Sequence, residues 1–132
     1  MNDHYYSRSN LDRIPELIQL APQAAASFLA FERDTYHTSE AIPLKMKELI
    51  AVAVAHVTGC PYCIDVHVKK CKELGGTREE ILEAILVAAS TRAGAILSHA
   101  THALIAFEND EERPASEDRR QHGNNTAPDC FC

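Results

Sequence analysis

The chain has 132 residues, of which 45% are apolar and 24% charged, and its formal net charge is −6. This length predicts one compact soluble domain, and the acidic balance argues against a nucleic-acid partner, since phosphates require a basic surface. No uninterrupted apolar run reaches the roughly 18 residues that span a bilayer, and no signal-peptide pattern is visible at the N-terminus. We therefore expect a cytoplasmic protein without a membrane partner.

Helical patterns follow one another along the chain, and strand patterns are nearly absent. They predict an all-α domain of about six helices over residues 1–108. Proline, glycine and capping signals divide the pattern into pieces. The expected helices are two within residues 10–36, then 43–58, 60–74, one that begins at the capping box 77–80, and 94–107.

The last segment, residues 109–132, is polar, contains prolines and has no periodicity, so we expect a disordered tail. It ends in a second close pair of cysteines, Cys130 and Cys132. Our hypothesis for this pair is that it passes electrons to a disulfide elsewhere in the same chain or in a neighbouring copy.

The chain contains five cysteines, and two of them, Cys60 and Cys63, form a CxxC motif. A secreted disulfide framework usually has an even number of cysteines spread along a loop-rich chain. In a reducing compartment, a close pair of thiols is more often catalytic or metal-binding. The pattern therefore predicts either redox chemistry or a metal site.

The motif lies at a predicted helix start, where Pro61 occupies the first helical position and Cys60 lies near the cap. Cys60, Cys63 and His67 are spaced i, i+3 and i+7, so they share one helix face. His67 lies one turn beyond Cys63 and can take its proton, which leaves the nucleophilic thiolate. After one thiol is oxidised to a sulfenic acid, the other can close a disulfide.

Glu48 is expected to join this cluster through a helical hairpin that turns at Gly59. In an antiparallel pair of helices with that turn, the position opposite Glu48 is near residue 70, within one turn of His67. The carboxylate is then placed to orient His67 rather than to touch Cys63. This geometry predicts a relay from Glu48 through His67 to Cys63.

The spaced set of Glu48, eleven residues, Cys60, two residues, Cys63, three residues and His67 resembles the pattern of the AhpD-like alkylhydroperoxidases. These proteins belong to the carboxymuconolactone decarboxylase superfamily, and the resemblance extends over residues 43–107. It implies an all-helical fold, assembly into trimers or hexamers, and thiol-dependent reduction of organic hydroperoxides without a cofactor. A lipoyl or thioredoxin-like protein is the reductant that the resemblance suggests.

The resemblance also implies a role for each residue of the set. The second cysteine, here Cys63, is the one that peroxide oxidises, Cys60 resolves it as a disulfide, and Glu48 and His67 form the proton relay. The helix end alone would favour Cys60 as the more acidic thiol, whereas the histidine favours Cys63. The best-studied members carry a histidine directly before the second cysteine, and here Tyr62 occupies that position.

Two alternatives stay open at this point. Zinc is the first, because Cys60, Cys63, His67 and Cys71 resemble four ligands in a row, yet Cys60 and Cys71 lie about 16 Å apart along a helix. One ion with bonds of about 2.0–2.3 Å can hold only some of them. Cys71 itself is expected to be a small buried hydrophobe. The second alternative is a non-enzymatic redox sensor, or a helical oligomer that binds a soft metal or an arsenical.

Overall fold

The computed structural model of the chain describes residues 5–111, which contain no strand. Five α-helices are present: α1 (Ile14–Leu20), α2 (Pro22–Arg33), α3 (Leu44–Thr58), α4 (Pro61–Glu73) and α5 (Arg78–Glu111). A 3-10 segment, Arg8–Arg13, precedes α1, and a π-helical turn, Asp34–Thr38, follows α2. The predicted all-α class is confirmed for this part of the chain.

The fifth and sixth predicted helices are one helix, α5, so the expected number of six was one too high. The new start expected near Gly94 does not occur, because an isolated glycine inside a helix costs only about 1 kcal/mol and no proline accompanies it. The helix also continues to Glu111, three residues into the segment predicted to be a tail. The remainder of that segment, with Cys130 and Cys132, lies outside the described residues.

Helices α3 and α4 form the predicted hairpin. The turn is Gly59, whose φ of 70° lies in the left-handed region that glycine adopts without steric cost. The N–H of Cys60 then donates to the carbonyl of Ala55 at 3.1 Å and closes the end of α3. Pro61 starts α4 at once, so the CxxC motif begins directly at the bend of the hairpin.

The predicted capping box at the start of α5 is present. The Thr77 N–H donates to Glu80 Oε2 at 3.0 Å, and the Glu80 N–H donates to Thr77 Oγ1 at 3.1 Å. Glu80 also accepts from Lys45 Nζ at 2.8 Å. The ion pair joins the first turn of α5 to the first turn of α3.

The chain buries few side chains and divides into two compact units, one ending at Ala93 and one beginning at Gly94. In the first unit, the fully buried residues are Glu48, Val52, Ala55 and Cys71. In the second unit, every residue from 94 to 109 is exposed. Many large apolar side chains thus lie on the surface of the single chain, among them Leu20, Phe28, Phe31, Val54, Leu82, Leu86, Leu97 and Phe107.

Helix α5 is long and apolar enough over residues Arg78–Asn109 to cross a membrane, by length and composition alone. This helix was not expected from the sequence as a candidate membrane span, because it contains no uninterrupted apolar run of sufficient length. In α5 small uncharged residues such as Ser90, Thr91 and Ser98 interrupt the run without making the helix strongly polar. Core helices of soluble proteins meet the same criterion. What distinguishes α5 is that the single chain leaves its apolar surface uncovered.

Candidate active site

Cys60 is the N-cap residue of α4. Its backbone is extended, with φ −102° and ψ 98°, and its Sγ accepts a hydrogen bond from the Cys63 N–H at 3.3 Å. Sulfur thus replaces the oxygen of the usual serine, threonine or aspartate cap, and satisfies one N–H group that the helix start leaves without an intrahelical partner. The cap places Cys60 Sγ at the positive end of the helix dipole, which favours a thiolate.

The thiols of Cys60 and Cys63 are both free, and their Sγ atoms lie 2.8 Å apart. Cys60 Sγ already accepts the Cys63 N–H, so it is the better acceptor of the two, and we assign the shared proton to Cys63. The hydrogen bonds from Cys63 lower the pKa of Cys60 below its ordinary value of 9.0. The same hydrogen bond, together with burial, raises the pKa of Cys63 to about 11. Of the two thiols, Cys60 therefore loses its proton more readily.

Glu48 and His67 are joined by a hydrogen bond across the hairpin, with His67 Nδ1 2.7 Å from Glu48 Oε2. The Glu48 side chain is only 4% exposed, and that of His67 is 17% exposed. A carboxylate accepts hydrogen bonds, so Nδ1 is the donor and Nε2 is the ring nitrogen left for another partner. The structure thus brings together the two residues that the hairpin argument placed opposite each other.

Among the described residues, no hydrogen bond joins the His67 ring to Cys60 or Cys63. His67 and Cys63 instead line one cavity of about 570 Å³. The walls of this cavity are mainly apolar and include Ile42, Ile50, Ala51, Val54 and Ala55. A water molecule or a substrate oxygen in the cavity could bridge the imidazole and the Cys63 thiol. The site therefore combines a base, a thiol and an apolar binding surface.

Tyr36 completes the wall beside His67. Its ring is stacked on the imidazole, with the centroids 5.9 Å apart and the planes 12° from parallel. Tyr36 belongs to the π-helical turn. Lys47 Nζ stabilises this turn by donating to the carbonyl of Thr35 at 2.6 Å, and also to those of Tyr36 and Ser39. The sequence does not connect Tyr36 to the site, because a π turn has no clear sequence pattern.

A second cavity, of about 270 Å³, is lined by Glu48 and not by His67 or Cys63. Tyr36 lines both cavities. The second cavity is called the polar cavity below, because most of its other lining residues are charged or polar, including Glu32, Arg33, Lys70 and Glu73. Glu48 thus lines a space with more charged side chains than the cavity that the thiol and the imidazole line.

Tyr62 does not belong to this cluster. Its hydroxyl donates to the carbonyl of Tyr5 at 3.2 Å and accepts from Asn10 Nδ2 at 2.7 Å. One turn further along α4, Asp65 pairs with Arg8 at 2.7 Å. The exposed side of α4 thus binds the N-terminal segment, and the side chain that occupies the position of the family histidine serves that contact.

Cys71 is fully buried, as the sequence predicted. Burial, followed by the charges of Glu80 and Glu48, raises the pKa of its thiol, so it is expected to be unreactive. Within residues 5–111, no three side chains of the histidine, cysteine, aspartate or glutamate type are grouped so as to hold a metal ion. The four-residue row considered for zinc does not converge on one point in this part of the chain.

The chain is similar to several known proteins. The model of the carboxymuconolactone decarboxylase family matches residues 22–106. Uncharacterized protein 4 in the cox locus of Paracoccus denitrificans is 49% identical over 82 residues, which are 62% of this chain and 73% of that protein. Alkyl hydroperoxide reductase AhpD of Mycobacteroides abscessus is 48% identical over 42 residues, 32% of this chain but only 24% of that protein.

Two solved structures share the fold. A carboxymuconolactone decarboxylase family protein from Legionella pneumophila superposes with a TM-score of 0.60 at 31% identity, covering 77% of this chain and 90% of that one. A structural-genomics protein from Methanobacterium thermoautotrophicum gives 0.63 at 30% identity, covering 66% and 97%. Both likenesses extend over most of the solved chains, so they concern the whole helical arrangement rather than one motif.

Proposed function

Because the chain is an AhpD-like member of the carboxymuconolactone decarboxylase family, we propose that it is a thiol-dependent peroxidase that reduces organic hydroperoxides. The observation that carries this proposal is that His67, whose Nδ1 lies 2.7 Å from Glu48 Oε2, lines the same cavity as Cys63. Cys63 is in turn next to a second free thiol. A base, an attacking thiol and a resolving thiol are the three groups that such a reaction needs.

Cys63 is proposed as the attacking thiol because it lines the apolar cavity together with His67. Its high pKa does not prevent this role, since the proton it shares can move to Cys60 across the 2.8 Å contact. The charge of the pair stays the same and only its position changes. His67, oriented by Glu48, is proposed to accept a proton from the thiol pair and return it later.

The proposed cycle has three steps. The Cys63 thiolate attacks the terminal oxygen of the hydroperoxide, so that the O–O bond breaks, an alcohol leaves and a sulfenic acid forms. The Cys60 thiol then displaces hydroxide from that sulfenic acid, which gives a disulfide and water. Two electrons from an external dithiol, proposed to be of the lipoyl or thioredoxin type, restore both thiols. The mainly apolar cavity favours hydroperoxides with hydrocarbon groups over hydrogen peroxide.

The chain is also proposed to act as a homo-oligomer. Only three apolar side chains are buried within the described residues, whereas Leu97 and Phe107 are each more than half exposed. Surface of this kind is usually covered by another protein chain. Light scattering in detergent-free buffer checks this proposal: a monomeric mass contradicts it, and a trimer or hexamer is expected.

The experiment that tests the function is a steady-state assay of tert-butyl and cumene hydroperoxide reduction, with dihydrolipoamide or dithiothreitol as the reductant. Wild type is compared with Cys60→Ser, Cys63→Ser and His67→Ala, and Cys71→Ala serves as the control because Cys71 is a free thiol that lines neither cavity. Cys63→Ser should abolish turnover, and Cys60→Ser should consume about one equivalent of peroxide without resolving it.

Repeated turnover separates an enzyme from a redox sensor, which would oxidise once and then stop. The peroxidase proposal fails if the wild type consumes no more peroxide than its own thiols account for. It also fails if the three site variants and Cys71→Ala all retain the rate of the wild type. Comparison of dihydrolipoamide with a reduced thioredoxin in the same assay identifies the class of reductant.

A further inference from the structure

The hydroxyl of Tyr36 is a polar group without a hydrogen-bond partner in the described part of the chain. It is not sealed in the interior either, because no unpartnered polar side-chain atom in this part of the chain is fully buried. Tyr36 lines both the apolar and the polar cavity. Its hydroxyl is therefore available to a molecule that enters the site.

The surroundings of Tyr36 keep its hydroxyl in place and protonated. The stack against His67 fixes one face of the ring, and Lys70 Nζ lies over the ring at 6.0 Å from its centroid. Burial, then the negative charges of Glu48, Glu32 and Cys63, raise the pKa of the phenol above its ordinary value of 10.0. A phenol that stays neutral beside a thiolate remains a hydrogen-bond donor.

We propose that the Tyr36 hydroxyl is the group that donates a proton to the oxygen leaving the hydroperoxide. The inference rests on the proposed peroxidase function and adds a residue to it. The observation behind it is that Tyr36, Cys63 and His67 line the same cavity, with the phenol stacked on the imidazole. An alkoxide is a poor leaving group, so a donor aimed at it accelerates the cleavage of the O–O bond.

Protons and electrons balance in this step. The thiol pair first loses a proton to His67, and the Cys63 sulfur then gives two electrons to the terminal peroxide oxygen. The S–O bond forms, the O–O bond breaks, and the alkoxide takes the Tyr36 proton and leaves as an alcohol. The imidazolium of His67 then releases its proton to water, and the phenolate takes up a proton from water, which restores both groups. The net change is one thiol and one hydroperoxide converted to one sulfenic acid and one alcohol.

The test compares two substrates that differ in their leaving group. tert-Butyl hydroperoxide expels an alkoxide, which needs a proton, whereas peracetic acid expels acetate, which does not. Tyr36→Phe removes the hydroxyl and keeps the ring that stacks on His67. Tyr62→Phe is the matched control, because it removes another tyrosine hydroxyl of the same chain that lines neither cavity.

Tyr36→Phe should lower kcat/KM for tert-butyl hydroperoxide by about 100-fold and that for peracetic acid by less than about threefold. Tyr62→Phe should change both by less than about twofold. Equal losses of Tyr36→Phe on the two substrates, or no loss, would overturn the proposal while leaving the peroxidase function intact. A wild type that reduces neither substrate overturns the proposed function itself.

A second measurement does not depend on the folding of a variant. Within a series of alkyl hydroperoxides, the wild-type rate should change little as the pKa of the departing alcohol rises, because the donor compensates for the poorer leaving group. A steep fall of the wild-type rate along that series contradicts a proton donor at this position. Circular dichroism of Tyr36→Phe and Tyr62→Phe confirms that both retain the helical content of the wild type.

Discussion

The hydrogen bond between Glu48 and His67 makes a quantitative prediction for the substitution Glu48→Gln. Glutamine has the shape of glutamate and still accepts a hydrogen bond from His67 Nδ1, but it removes the negative charge from a side chain that is 4% exposed. A hydrogen bond to a charged group contributes about 1.5–3 kcal/mol, compared with about 1 kcal/mol for a neutral one. The difference of about 0.5–2 kcal/mol corresponds to a rate decrease of about 2- to 30-fold.

The assay is peroxide turnover with a fixed dithiol reductant, and the control is Glu73→Gln. Glu73 lines the same polar cavity as Glu48, is exposed, and makes no ion pair within the described residues. The same change of charge at that position should leave turnover within about twofold of wild type. A Glu48→Gln enzyme with more than about half of the wild-type rate would refute the relay argument. So would a Glu73→Gln enzyme that is equally impaired.

Four further substitutions test the local geometry. Cys60→Ser should lower the pKa of Cys63 from about 11, since it removes the neighbouring thiolate, and the pH dependence of Cys63 alkylation measures it. Thr77→Ala should cost about 1 kcal/mol in urea unfolding because it removes the cap of α5, and an unchanged midpoint contradicts this. Gly59→Ala should also destabilise by about 1 kcal/mol, whereas Gly94→Ala, inside a helix with open space around it, should stabilise by a similar amount.

The sequence was sufficient for the hairpin and for the residues that it brings together. A glycine at the turn, a proline at the next helix start and helical spacing place Glu48 opposite His67, because these are local rules with few alternatives. The cap position of Cys60 follows from the same rules. The predicted relay from His67 to Cys63 is not present as a hydrogen bond among the described residues. Both side chains lie one turn apart on α4, but the His67 ring is hydrogen-bonded to Glu48 on α3.

Features that depend on tertiary contacts could not be predicted from the sequence. The stack of Tyr36 on His67 requires a π turn that Lys47 stabilises from another helix. The contacts of Tyr62 with the N-terminal segment join residues more than fifty positions apart. Phe28 and Phe31 of α2 are exposed in the single chain. Periodicity identifies an apolar face but does not say whether the same chain or another molecule covers it.

The sulfur cap at the start of α4 has a thermodynamic consequence for the thiol pair. When Cys60 is a thiolate, its Sγ is a charged acceptor for the Cys63 N–H at the positive end of a helix. A disulfide sulfur is neutral and accepts that hydrogen bond weakly, so oxidation removes stabilisation that the reduced form enjoys. Preferential stabilisation of the reduced form raises the reduction potential, as in other helix-start dithiols. The proposed Cys60–Cys63 disulfide is therefore expected to be easily reduced, which suits regeneration by an external dithiol.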